Sequence, residues 1–235
     1  MKTSNLFILL VAMAAAAWAG ARADTPASAR DGLKPFNMLI GEWKGIGEPE
    51  GTARQRQAGF WTEGIKWSWQ FRGDDAWLTA TFDKGKHFTS GDLRFVRDKD
   101  LFRLTLKGSD DATQVFEGKL KDKVLTLERE DAAAKETQRL VITMLHDNRF
   151  LYHFEKKPSG KVTFTKVFHV GATKQGVAFS AGESGPECVV SGGKGTMTIS
   201  YKGQTYYVCC GGCRDAFNDN PEKFIREYNE KKSKK

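Results

Sequence analysis

The chain has 235 residues, of which 40% are hydrophobic, and a formal net charge of +8. A folded chain of this length buries roughly 70% of the surface that its unfolded form exposes, so it can build ordinary cores. The composition therefore excludes an intrinsically disordered chain and a miniprotein that depends on disulfides. All four cysteines lie between Cys188 and Cys213, which indicates one local site instead of cross-links spread through the fold.

The first 23 residues have the pattern of a secretory signal peptide. Lys2 precedes an apolar run at Leu6–Trp18, and Ala21-Arg22-Ala23 supplies a small-residue cleavage pattern. The run is short for a membrane span, which needs about 20 apolar residues. We therefore expect residues 1–23 to be removed and the mature protein to be exported, either periplasmic or secreted, with no transmembrane span. The alternative is an uncleaved N-terminal anchor. Residues 24–34 would follow as a flexible N-terminus.

The positive charge is mixed with acidic residues along most of the chain, which is typical of a solvated surface. Residues 231–235 form the one basic run, and we expect residues 229–235 to be a basic solubilising tail. We therefore expect no nucleic-acid partner. Because the sequence contains no recognisable acid–base or nucleophile constellation, we also expect no enzymatic activity.

Residues 35–170 alternate between apolar and polar side chains in short runs separated by turn residues. Because successive side chains of a strand point to opposite faces, such runs predict strands with one buried face. The clearest run has four apolar side chains on one face, Ile65, Trp67, Trp69 and Phe71. Other runs follow at the spacing of a meander, at Trp77–Phe82, Leu93–Val96, Leu101–Leu106, Val124–Leu127 and Leu140–Met144. The fold class is therefore mainly β, an antiparallel barrel or sandwich of nine to eleven strands, with no helix longer than a segment at Asp131–Glu136.

The last predicted hairpin of this region turns at residues 158–160. Its expected register places Phe150 opposite Phe168 and Phe154 opposite Phe164. One face of the hairpin is then aromatic, as a core face should be.

The start of the region, Gly41-Glu42-Trp43, resembles the Gly-x-Trp first strand of lipocalin-like barrels, including the nitrobindin-like families. The resemblance implies a barrel of eight to ten strands, closed at one end by Pro35–Leu39 and plugged by Trp43. Its interior could hold an apolar ligand or haem, or its aromatic residues could fill it completely. His153 and His169 fall on the non-aromatic face of the last hairpin, so we interpret them as half-exposed strand residues; a haem or metal role is the alternative.

The composition changes after Val170. Residues 171–186 are small, polar and rich in glycine, which indicates a linker. Residues 187–228 predict a hairpin, a cysteine knuckle and a helix that Asn218-Asp219-Asn220-Pro221 interrupts. This is the architecture of a small α+β, treble-clef-like metal module.

Cys188 precedes the hairpin, Cys209 follows it, and Cys213 completes a Cys-x3-Cys motif at the start of the helix. This pattern resembles the TRASH/YHS metal-binding domain over residues 187–228. Framework residues of the hairpin and helix match as well, namely Tyr201, Gly203, Tyr206, Tyr207, Phe217, Pro221 and Phe224. The resemblance implies heavy-metal handling in trafficking, sensing or resistance, with copper or zinc as the metal and a metal-donor or metal-acceptor protein as a candidate partner.

The chemistry of the three cysteines supports the same interpretation. Thiolates are soft ligands that suit Cu(I) and Zn(II), so we expect Cys188, Cys209 and Cys213 to ligate one ion. We also expect the helix dipole to lower the pKa of Cys213. The sequence does not identify a fourth ligand: Cys210 is the nearest candidate, and water or an exogenous ligand is the alternative. A three-coordinate site would suit Cu(I) better than structural zinc.

Three alternatives stay open. The cysteines could form two disulfides in an oxidising compartment, Cys188 with Cys209 and Cys210 with Cys213. A redox role for the Cys210–Cys213 segment is the second, although the βαβ context of a thioredoxin-like fold is missing. In the third, the barrel cavity carries the function and the cysteine module is an accessory.

Overall fold

A computed structural model describes residues 28–146, 148–176 and 185–233. The predicted signal peptide, residues 1–23, lies outside the described residues. In the described part of the chain, no helix is long and apolar enough to cross a membrane. The strands are β1 Gly41–Pro49, β2 Trp61–Arg72, β3 Asp75–Asp83, β4 Phe88–Val96, β5 Leu101–Gly108, β6 Thr113–Lys121, β7 Val124–Asp131, β8 Glu136–His146, β9 Arg149–Pro158, β10 Thr165–Lys174, β11 Met197–Tyr201 and β12 Gln204–Val208. The α-helices are α1 Ala29–Leu33, α2 Ala53–Gly59, α3 Gly211–Asp219 and α4 Pro221–Ser233, with 3₁₀ segments at Lys34–Leu39 and Arg97–Lys99.

Strands β1 to β10 form a closed antiparallel barrel in which each strand pairs with the next and β10 pairs with β1. The closing pair sets Trp43 opposite Lys174, so β10 continues four residues past Val170 into the segment expected to be a linker. Closure satisfies the backbone groups that an edge strand would expose. The predicted fold class is confirmed: a mainly β chain with an antiparallel barrel, followed by a small α+β module.

The interior of the barrel is filled by its own side chains. Along β2, Ile65, Trp67 and Trp69 are buried while Lys66 is exposed, which is the expected period of two. The space left beside Trp67 and Tyr152 measures about 20 Å³, room for about one water molecule. Of the two interiors that the sequence allowed, one that holds a ligand and one that aromatic side chains fill, the structure has the second.

One end of the barrel is closed as the sequence suggested. The 3₁₀ segment Lys34–Leu39 begins with a proline in its first turn, where a missing N–H costs nothing, and it buries Phe36 and Leu39. The indole N–H of Trp43 donates to the Leu39 carbonyl at 2.7 Å, and its ring packs edge-on against Phe150. This hydrogen bond joins the 3₁₀ segment that closes the barrel to strand β1.

Two local predictions about helices were wrong. The segment Asp131–Glu136 is a tight turn, because Asp131 and Glu136 pair directly as the ends of β7 and β8 and too few residues remain to nucleate a helix. Helix α2 was missed, although Thr52 and Gln55 form a capping box that the sequence displays as Thr-x-x-Gln.

The predicted register of the last hairpin was wrong by four residues. Phe154, not Phe150, lies opposite Phe168, because β10 begins only at Thr165 and the connection is longer than a tight turn. A shift of four is even, so Phe150, Phe154 and Phe168 still face the core. Phe164 does not: it precedes β10, a bulge separates it from Phe168, and it is partly exposed under the Arg139 guanidinium. His153 and His169 accordingly lie opposite each other on the outer face, where each is partly exposed.

The alternation in β6 can be tested with adjacent residues. Phe116 is fully buried and Val115 is 45% exposed. We expect Phe116→Ala to lower the free energy of unfolding by about 3–5 kcal/mol, because it leaves a cavity in the barrel. Val115→Ala should cost less than about 1 kcal/mol. Urea unfolding followed by circular dichroism measures both, and equal losses would contradict the assignment of the inner face.

Candidate metal centre

Three short elements bring the four cysteines together. Cys188 lies in the turn that precedes β11, Cys209 and Cys210 follow β12, and Cys213 lies in the first turn of α3. The hairpin returns the chain from Cys188 to Cys209 through Lys202-Gly203, both of which have positive φ (49° and 77°). Two successive positive φ values are typical of the tight type I′ turn, and glycine adopts them at little cost.

The sulfur atoms of the three expected ligands converge. The Sγ atoms of Cys188, Cys209 and Cys213 all lie within 4.8 Å of one another, and those of Cys209 and Cys213 are 3.5 Å apart. With Zn–S bonds of about 2.3 Å, sulfurs at the corners of a tetrahedron lie roughly 3.8 Å apart. All four cysteines are buried free thiols in this structure. Soft donors at these separations fit one soft metal ion with small adjustments.

Cys210 is placed differently from the other three. It caps the N-terminus of α3 in an extended conformation. Its Sγ lies 3.9 Å from that of Cys209, but Cys210 does not belong to the convergent group. Instead its Sγ accepts the backbone N–H of Trp69, in strand β2, at 3.4 Å. The structure therefore places the fourth sulfur between the cysteine cluster and the barrel wall, with contacts to both.

Ser191 is a member of the site that the sequence analysis missed. Its hydroxyl lies 3.4 Å from the Sγ of Cys209, and its backbone N–H donates to the Sγ of Cys188 at 3.5 Å. The side chain is fully buried. Ser191 follows Cys188 by three residues, the spacing at which a Cys-x-x-Cys knuckle presents its second ligand. That spacing was the signal in the sequence, and the hydroxyl is a second candidate for a fourth ligand.

The thiols share protons among themselves. Hydrogen bonds from Cys209 and then from Cys213 lower the pKa of Cys188 to about 2, and the same two neighbours lower that of Cys210 to about 3. Hydrogen bonding to Cys188 and Cys210 raises the pKa of Cys209. Burial raises that of Cys213, so the expected lowering by the helix dipole is outweighed by desolvation. Because ligating thiols are deprotonated, binding of an ion would release the remaining protons.

The cysteine module packs against the barrel. A Cβ atom at Gly212 would lie well under 3.0 Å from the Trp69 carbonyl oxygen, so only glycine allows α3 to come this close to β2. Arg30, in α1, forms an ion pair with Glu227 at 2.6 Å and lies over the ring of Phe224. These contacts join the barrel end to both helices of the module.

Residues 193–228 match the family model of the YHS domain. The match confirms the family that the sequence resembles, and it contains Cys209 and Cys213. Cys188 lies just before the matched residues, although the structure brings its sulfur into the cluster. We call residues 187–228 the YHS module.

Comparisons beyond this module give weak similarity. No curated protein matches the chain. Rv2717c from M. tuberculosis is 17% identical, with a TM-score of 0.40 over 61% of this chain and 97% of that chain. The S-type phycobiliprotein lyase CPES from Guillardia theta is 11% identical, with a TM-score of 0.39 over 62% of this chain and 94% of that chain. These similarities assign no ligand or activity to the barrel.

The close approach of α3 to the barrel can be tested with two neighbouring glycines. Gly212→Ala would force Cβ into the Trp69 carbonyl, so we expect it to lower the free energy of unfolding by about 1–3 kcal/mol. A Cβ atom at Gly211 would meet no other atom within 4 Å, so Gly211→Ala should leave stability unchanged or raise it by up to about 1 kcal/mol. Urea denaturation of both variants measures the difference, and similar effects would contradict the observed packing.

Proposed function

We propose that this is an exported, non-enzymatic, heavy-metal-binding protein whose YHS module holds a copper or zinc ion through Cys188, Cys209 and Cys213. The observation that carries the proposal is the approach of three buried Sγ atoms to within 4.8 Å of one another. The YHS match supports metal binding, and the signal-peptide pattern of residues 1–23 supports export. Trafficking, sensing or resistance is the class of role that fits, with a metal-donor or metal-acceptor protein as partner.

The donor set limits the choice of metal. Three thiolates alone form a trigonal site, which suits Cu(I). Adding the Ser191 hydroxyl or a water molecule would complete a tetrahedral site, which suits Zn(II). Cys210 lies outside the group of sulfurs that approach within 4.8 Å of one another, which favours an oxygen over a fourth sulfur as the added ligand. The copper and zinc forms of the site therefore differ in whether an oxygen ligand joins the three sulfurs.

Metal binding would also contribute to folding of the YHS module. The core of the module is small and is built around Val208, Phe217 and Phe224 beside the cysteines. A module of this size gains stability from an ion that its unfolded form cannot hold in the same geometry. Chelation should therefore loosen the module.

A second candidate is a ligand site in the barrel. One observation favours it: Trp67 lines the interior cavity, and its indole N–H is buried and has no hydrogen-bond partner in the described residues. The remaining space of about 20 Å³ holds about one water. A haem or a larger apolar ligand would require the aromatic interior to rearrange, so the cysteine site is the better supported of the two.

The amount of metal bound per chain tests the proposal directly. We expect protein purified reduced and without oxygen to carry about one equivalent of copper or zinc per chain by elemental analysis. Cys209→Ser should weaken binding by more than about 100-fold, because losing a ligand costs more than losing an outer-shell partner. Cys210→Ser is the matched control, and it should retain the metal.

Two results would overturn the proposal. Native protein without metal and with all four sulfurs oxidised would favour the disulfide alternative. A retained apolar ligand or a Soret band would move the function to the barrel.

A further inference from the structure

Both N–H groups of Trp69 form hydrogen bonds, and the backbone N–H is the one that reaches the YHS module. The residue is fully buried in β2, and its ring stacks on Phe71 at 5.6 Å. Its backbone N–H donates to the Sγ of Cys210 at 3.4 Å, and its indole N–H donates to the Oδ1 of Asn37 at 3.0 Å. A barrel strand therefore has one contact with the cysteine cluster and one with the 3₁₀ segment that closes the barrel.

Asn37 also forms a hydrogen bond to the turn that contains Cys188 and Ser191. Its Nδ2 donates to the carbonyl of Ser191 at 3.1 Å. An indole N–H can only donate, so the amide oxygen of Asn37 must face Trp69 and its NH₂ must face Ser191. The turn lies so close that a Cβ at Gly193 would be 3.0 Å from the Asn37 Cγ. Asn37 thus has one orientation that satisfies both neighbours.

Ser191 completes the connection to the sulfur atoms. Its backbone N–H and its hydroxyl lie within hydrogen-bond distance of Cys188 and Cys209, respectively. The path from Trp69 through Asn37 to these two cysteines is therefore a continuous series of hydrogen bonds. A second strong restraint on the same turn is internal: the Cys188 N–H donates to the Gly193 carbonyl at 2.7 Å.

We infer that the barrel supplies the outer shell of the metal centre, with Asn37 and Trp69 as positioning residues for the turn that carries Cys188 and Ser191. The inference rests on the proposed function and extends it from the YHS module to the barrel. Outer-shell hydrogen bonds orient ligands and tune metal affinity. Because coupling between binding and stability is reciprocal, metal binding at the cysteines also stabilises the closed end of the barrel.

The test uses the full mature chain, kept reduced and without oxygen. Trp69→Phe removes the indole N–H and keeps the backbone bond to Cys210, and Asn37→Leu removes both side-chain bonds at similar volume. Trp77→Phe is the matched control, because the Trp77 ring lies on the outer face of β3 under the Arg94 guanidinium and is no part of the hydrogen-bond series through Asn37 and Ser191. Competition with chromophoric chelators gives the Cu(I) and Zn²⁺ affinities. The absorption spectrum of bound Co²⁺ reports ligand geometry, which a purely structural role for these residues would leave unchanged.

We expect Trp69→Phe and Asn37→Leu to weaken metal binding by about 10–100-fold and to shift the Co²⁺ bands. Zn²⁺ should raise the thermal midpoint of barrel unfolding in the wild type and raise it less in both variants. Trp77→Phe should change neither quantity. If Asn37→Leu does not reach the native circular dichroism spectrum, Trp69→Phe decides the result.

Two further outcomes separate the inference from the function on which it rests. Folded variants with wild-type affinity and a wild-type Co²⁺ spectrum would overturn the inference alone. A wild-type protein that binds neither Cu(I) nor Zn²⁺ would overturn the proposed function and the inference with it.

Discussion

The arrangement of the molecule depends on the contact between Trp69 and the start of α3. Gly212 leaves room for the Trp69 carbonyl, and the neighbouring Cys210 sulfur accepts the Trp69 N–H. This places the N-terminus of α3, and with it Cys213, directly over the end of a barrel strand. The cysteine cluster is therefore built at the surface shared by the barrel and the YHS module, where both determine its geometry.

A barrel filled by its own side chains suits a supporting role. Trp43 is tied to the Leu39 carbonyl, and Phe36 packs edge-on against Phe102 at 5.0 Å, so the closed end is densely packed. Dense packing resists small displacements, and rigid elements hold a site more accurately than loops do. The turn that contains Ser191 rests on this closed end through Asn37. Packing against the barrel thus restrains the YHS module, whose own core is small.

The pKa values of the four buried cysteines are shifted in opposite directions. Hydrogen bonds from Cys209 and Cys213 lower the pKa of Cys188 and Cys210. Hydrogen bonding to Cys188 and Cys210 raises the pKa of Cys209, and burial raises that of Cys213. A bound ion would hold every ligating sulfur as a thiolate, so it would remove these differences in pKa among the ligands. The same proximity would allow oxidation, so an oxidising compartment would favour disulfides over metal ligation. Low exposure of the sulfurs restricts the access of oxidants to them.

The sequence by itself determined the strand-rich fold class and the choice of Cys188, Cys209 and Cys213 as one group, because period-two alternation and cysteine spacing are local properties. It also determined that Phe150, Phe154 and Phe168 face the core, since a register error of four residues keeps their parity. Phe164 lost that place to the bulge in β10. The pairing of Phe154 with Phe168, the direction of the Cys210 sulfur and the place of Asn37 were decided only by the tertiary structure. Each of these depends on contacts between segments far apart in the chain, where loop length and docking set the geometry and no local pattern records it.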